Sequence, residues 1–172
     1  MRAAFIWIFG VVSALFIAGV GATVIRPTPP ALERGTIRAG AHGRVERLPV
    51  EIAATHRARA HGLNGRHLRS GHGMVFLYDP PRTVRFTFKR TCEALDVAFV
   101  DPNGVVVATH ASVVAGDPRP LPSPGPVRLV LEAKAGALQR LGIGVGTLVA
   151  VDHPGQAEPR LSPVESSRSC AK

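Results

Sequence analysis

The stretch "RFTFKRTCEALDVAFVD", Arg85 to Asp101, decides the fold. Its first part belongs to "TVRFTF" (Thr83 to Phe88), where alternation sends Val84, Phe86 and Phe88 to one face. Arg85, Thr87 and Lys89 then lie on the other, wetter face. Its last part, "LDVAFVD" (Leu95 to Asp101), behaves differently. Leu95, Val97 and Phe99 share one face, Asp96, Ala98 and Val100 the other, so both faces read as buried. From Leu95 to Val100, Asp96 is the single ionisable group. A buried carboxylate without a partner is costly, on the order of several kcal/mol. Lys89 and Arg90 are the nearest cations in sequence that would neutralise it. Two other roles stay open: accepting backbone N–H bonds at a turn, or touching a ligand directly.

Working outward, "RVERLPVEIA" (Arg44 to Ala53) reads as a strand, with Pro49 suggesting an edge or a bulge. "THRARAHGLNGR" starts on Thr55, a suitable N-cap, and runs into glycines, which predicts a short helix. "GMVFLYD" (Gly73 to Asp79), "VVVATH" (Val105 to His110), "VRLVLEA" and "GTLVAVD" read as further strands, and "GALQRLG" as a second short helix closed by Gly142. "DPNG" between Asp101 and Gly104 is a hairpin turn, since Asn103 and Gly104 tolerate positive φ. Short strands, tight turns and two brief helices predict a mainly β domain, a compact sandwich or barrel.

A chain of 172 residues holds one well-packed domain plus a leader. Aromatic residues make up only 5%, so the core must rest on Val, Leu, Ile and Ala. The formal charge is +9, carried almost wholly by arginine. These arginines are scattered singly with no aromatic platform among them, which argues against nucleic acid as partner.

From Ala3 to Ile25 the chain carries no charge and is long enough to span a bilayer as a helix. It also contains "VGA" (Val20 to Ala22), suited to signal cleavage. Residues 1–25 therefore read as a signal peptide or a transmembrane anchor, placing the rest outside the cytoplasm, in the periplasm or facing it. Residues 26–43, rich in Pro, Gly and small side chains, read as a flexible linker. Residues 44–153 form the β-rich domain and 154–172 a disordered tail. Cys92 and Cys170 would meet an oxidising compartment, where a bridge between them would tie the tail to the domain.

The succession "GLNGR" (Gly62 to Arg66), "GMVF", "FTFKRT" (Phe86 to Thr91), "LDVAFVD" and "VLEAKAG" (Val130 to Gly136), closing on "LGIGVG", resembles the bacterial and archaeal family known as domain of unknown function 192. The resemblance spans about Leu48 to Val151. It implies a compact, mainly β fold with short helices, often behind a signal segment, and no established reaction. Typical members of that family read Gly-Leu-Met-Gly-Arg and Phe-Trp-Met-Lys-Asn-Thr. This chain keeps Arg66, Lys89, Thr91, Leu95, Asp96 and Glu132 but has Asn64, Thr87, Phe88 and Arg90 at the other positions. Loss of the tryptophan removes a stacking surface, and Arg90 adds a cation.

His56, His61, His67 and His72 lack the spacing of four that aligns metal ligands on a helix, so no metal site is expected. There is no Gly-x-Ser-x-Gly elbow and no phosphate-cradling glycine loop, and no cofactor is implied. The residues left are Arg66, Lys89, Arg90, Thr91, Asp96 and Glu132. If their strands adjoin, they form a mixed-charge pocket for a small anionic or saccharide ligand. The expectation is a non-enzymatic binding or accessory module of the cell envelope. The alternatives are a protein-interaction scaffold, or a hydrolase of envelope glycan using Asp96 and Glu132.

Overall fold

The computed structural model describes residues 30–41 and 43–152. The apolar leader and the C-terminal tail, with Cys170, lie outside the described residues. Among the described residues nine strands and two short helices follow one another as β1 (Glu33–Ala41), β2 (Arg44–Ala53), α1 (His56–His61), β3 (Gly73–Arg82), β4 (Arg85–Phe86), β5 (Leu95–Val100), β6 (Val106–Val113), β7 (Leu121–Pro122), β8 (Val127–Lys134), α2 (Ala137–Arg140) and β9 (Leu148–Asp152). The mainly β expectation and both helices hold.

Seven strands form one mixed sheet in the order β6-β5-β8-β3-β2-β1-β9, and β4 pairs with β7 separately. Only β2 and β3 run parallel, because the chain between them crosses over through α1 and the loop after it. The sheet's two ends meet. An antiparallel bridge joins Val105 to Leu148, Val106 N–H donates to Thr147 O at 2.9 Å, and Val149 N–H donates to Gly104 O at 2.7 Å. Gly104 has φ +84°, and a Cβ there would meet Val149 O at 3.0 Å, so the hairpin glycine also makes room for this closure.

The sheet has a core on each face. On the inner side pack Ile37, Leu48, Val50, Ile52, Val75, Val100, Leu129, Leu131 and Val149. On the outer side Met74, Phe76, Val97, Phe99 and Val130 are covered by α1 (Ala58), the loop after it (Leu63, Leu68) and the β4 region (Val84, Phe88). All six residues of β5 are buried, as the double-sided pattern of "LDVAFV" predicts. Full burial of Phe99 or Leu95 contributes about 1.5–3 kcal/mol each.

Three expectations need correction. The segment read as linker contains β1, which sits inside the sheet between β2 and β9. Gly35 reflects close approach: a Cβ there would lie 2.6 Å from Asp152 O and from Ile52 Cδ1. β2 is not an edge strand. Pro49 is tolerated because pairing with β3 begins only at Val50. Finally, "TVRFTF" pairs only over Arg85–Phe86, although Val84 and Phe88 are buried as expected.

Candidate functional site

Asp96 resolves as a structural ligand of the backbone. Its Oδ1 accepts from Ser112 N–H at 2.9 Å and its Oδ2 from Leu138 N–H at 3.1 Å. It thereby ties β5 to β6 and to the first turn of α2, and it is 1% exposed. Lys89 and Arg90 are exposed and take no part in this. Of the alternatives open in sequence, backbone acceptance is the one observed.

Between β4 and β5, Glu93 pairs with a cation. Its Oε1 accepts from Leu68 N–H at 2.6 Å and its Oε2 lies 3.2 Å from Lys134 Nζ. Burial pushes its carboxyl up, but the Leu68 N–H and Lys134 outweigh that and hold it below the ordinary value. Thr91 Oγ1 donates to Phe88 O at 2.9 Å, and Arg90 O accepts from Gly65 N–H at 2.8 Å. The charged connection between β4 and β5 is thus a clasp that holds down the loop after α1.

Glu132 is 3% exposed on β8. Its register partners are Met74 and Val97, which places it on the outer face, within the core under α1. Burial pushes its carboxyl up to about 8, with Arg66 opposing. Asp96 pairs in register with Ala133 and so faces the inner side. The two acids cannot flank one substrate bond, which removes the carboxylate pair that the hydrolase alternative needs.

Arg66 is brought to a cleft. Thr55 caps α1 by accepting from Ala58 N–H at 3.1 Å, and Gly62 ends the helix at φ +48°. The chain then turns back, so that the Arg66 guanidinium reaches β2 and β3. Its Nη1 pairs with Glu51 at 2.6 Å, its Nε donates to Gly62 O at 3.0 Å, and its Nη2 to Met74 Sδ at 3.5 Å. A guanidinium has five N–H donors, so two of them stay open. Beside it lies a cleft of about 450 Å³ lined by Pro30, Leu32, Arg34, Glu51, His61, Asn64, Gly65 and Arg66. Asn64 Nδ2 donates to Ala60 O at 3.1 Å, which fixes its amide at the rim.

The structure therefore brings Arg66 alone of the six candidates to the cleft. Glu132 is near Arg66 but in the core, Lys89 and Arg90 are exposed, and Thr91 and Asp96 are engaged elsewhere. Arg34, Glu51, His61 and Asn64 were missed. Arg34 fell in the segment read as linker. The alternation of Arg34, Thr36 and Arg38 with Gly35, Ile37 and Ala39 was the available signal.

The mixed sheet closed end to end, with the outer core capped by α1 and its loop, defines a class of small β domain with an arginine-rimmed cleft. The chain belongs to the DUF192 family, described as "Uncharacterized ACR, COG1430", whose model matches residues 37–151. Two solved structures are similar to it. A "putative transcription regulator" from Sinorhizobium meliloti is 31% identical over 71% of this chain and 96% of that one, with a TM-score of 0.67. A protein of unknown function from Novosphingobium aromaticivorans is 34% identical over 67% and 83% respectively, with a TM-score of 0.63. No curated protein matches the chain.

Proposed function

We propose that this domain is a non-enzymatic binding module for a small anionic or saccharide ligand, held outside the cytoplasm by or after its apolar leader. The observation that carries this reading is the cleft of about 450 Å³ whose walls present Arg34, Arg66, His61 and Asn64 with, among the described residues, a single carboxylate, Glu51. Its volume suits a ligand of one or two sugar rings. Open guanidinium N–H groups suit a carboxylate or phosphate, and the Asn64 amide oxygen with Glu51 suits sugar hydroxyls. Arg34 takes the part expected of Lys89 from the sequence. The name carried by the Sinorhizobium relative points to nucleic acid. The helices described here, His56–His61 and Ala137–Arg140, are too short to read a major groove.

The test is a thermal-shift screen of the detergent-solubilised full chain against sugars, sugar acids and phosphates. A stabilising compound is expected, with the shift lost in Arg34→Ala and Asn64→Ala and kept in Lys89→Ala. A screen without a stabiliser, or a shift unaffected by Arg34→Ala, contradicts the reading.

A further inference from the structure

Beyond the cleft, the part of the outward surface of β9-β1-β2 that lies away from α1 combines cations with exposed apolar side chains. The register sets Arg38 directly opposite Arg47, and Gly40 between Val45 and Leu148. Like charges directly opposite one another repel, and Asp152 relieves this by pairing with Arg38, which leaves Arg47 for an outside anion. Arg38 is compensated by Asp152 at 2.8 Å, and Glu51 is held by Arg66. Arg34 and Arg47, both exposed, have no ion pair among the described residues. At the far end of the same surface Val45 is 61% exposed and Leu148 42% exposed, side by side over the bare Cα of Gly40. Arginines beside protruding aliphatic side chains are what a bilayer interface accepts: phosphates for the guanidiniums and the headgroup boundary for the valine and leucine.

The chain itself indicates what lies close by. The uncharged run Ala3 to Ile25 precedes β1, and the residues from Arg26 to Glu33 reach at most about 25 Å when fully extended. A bilayer holding that run is therefore within reach of the surface that starts at Arg34.

We infer that the outward face of β9-β1-β2, with Arg47, Val45 and Leu148, and with Arg34 at its border with the cleft, docks on an anionic phospholipid bilayer. This lays the domain flat beside its leader and leaves the outer core under α1 turned away from the lipid. Salt weakens the contact, because its first attraction is between arginine and phosphate.

The test places an environment-sensitive fluorophore on Val45→Cys in the full chain carrying Cys92→Ser and Cys170→Ser. The protein is reconstituted in vesicles of phosphatidylcholine alone or with phosphatidylglycerol, each with lipid-borne quenchers. A second sample carries the label at Val114, which is exposed beyond the end of β6 remote from the Val105–Leu148 bridge. Expected are quenching at Val45 on anionic vesicles, its loss in high salt and in Arg47→Glu, and none at Val114. Arg47 lies outside the cleft, so ligand binding survives that substitution and the two readings fail separately. No quenching at Val45, equal quenching on neutral vesicles, or quenching unchanged by Arg47→Glu overturns the inference. A soluble acidic polysaccharide as the true occupant shows itself as an unquenched label.

Discussion

Asp96 and Glu132 stand on adjacent strands but on opposite faces of the sheet: Asp96 pairs with Ala133, and Glu132 pairs with Val97. One carboxylate is spent on two backbone N–H groups, and the other is enclosed in an apolar core. Their separation moves the functional question away from the acids and toward Arg66.

Removing the Asp96 carboxylate leaves the Ser112 and Leu138 N–H groups without their acceptor. Asp96→Ala is expected to destabilise the fold by about 2–5 kcal/mol, with Asp96→Asn less severe because one amide oxygen remains. Urea denaturation measures this. A loss below about 0.5 kcal/mol would show that these bonds are not formed.

Glu132 sets a pH dependence with a definite sign. Its carboxyl ionises at about 8 in the folded protein against an ordinary value of 4.5. Below the lower value both states are protonated. Between the two, only the unfolded chain ionises, so folding stability falls as pH rises through this window and levels off above it. The slope approaches about 1.4 kcal/mol per pH unit. Glu132→Gln is expected to flatten the urea midpoint over the same range, and identical profiles for both proteins would contradict the assignment.

Glu93 works in the opposite direction, since its ionisation is favoured by folding. Its contribution is present above the ordinary carboxylate value and is lost as pH falls through its lowered one. Glu93 and Lys134 keep 20% and 38% of their side-chain surface exposed, so solvent screens the pair. Glu93→Ala is expected to cost about 1–2 kcal/mol, mainly through the abandoned Leu68 N–H. Hydrogen exchange should show faster exchange at Leu68 while β5 stays protected.

Lys89 and Arg90 are exposed, and the backbone around them does the bonding. Lys89→Ala and Arg90→Ala are each expected to change stability by less than about 0.5 kcal/mol. A larger loss in either would reinstate them as part of a buried network.

The strands were legible where alternation or continuous apolarity wrote them, as in β2, β5 and β8, and α1 where Thr55 and Gly62 punctuate it. β1 was not. "ERGTIRAGA" has the composition of a linker, yet it sits between two neighbouring strands, and Gly35 is small for want of space under Asp152. Of the site, Arg66 was legible through the family resemblance, and Asp96 was correctly singled out as buried. Its partners were not, because both are backbone groups far away in sequence, Ser112 and Leu138. Cross-strand neighbours such as Arg34 and Glu51 become visible only once the register of β1 and β2 is known.

The most direct measurement is a crystal structure of the protein soaked with the compound that stabilises it in the thermal-shift screen. Difference density bridging the Arg66 guanidinium, Arg34 and the Asn64 amide is the result expected. Density elsewhere, such as around Lys89, with the Arg34–Asn64–Arg66 cleft holding only solvent, would contradict the account.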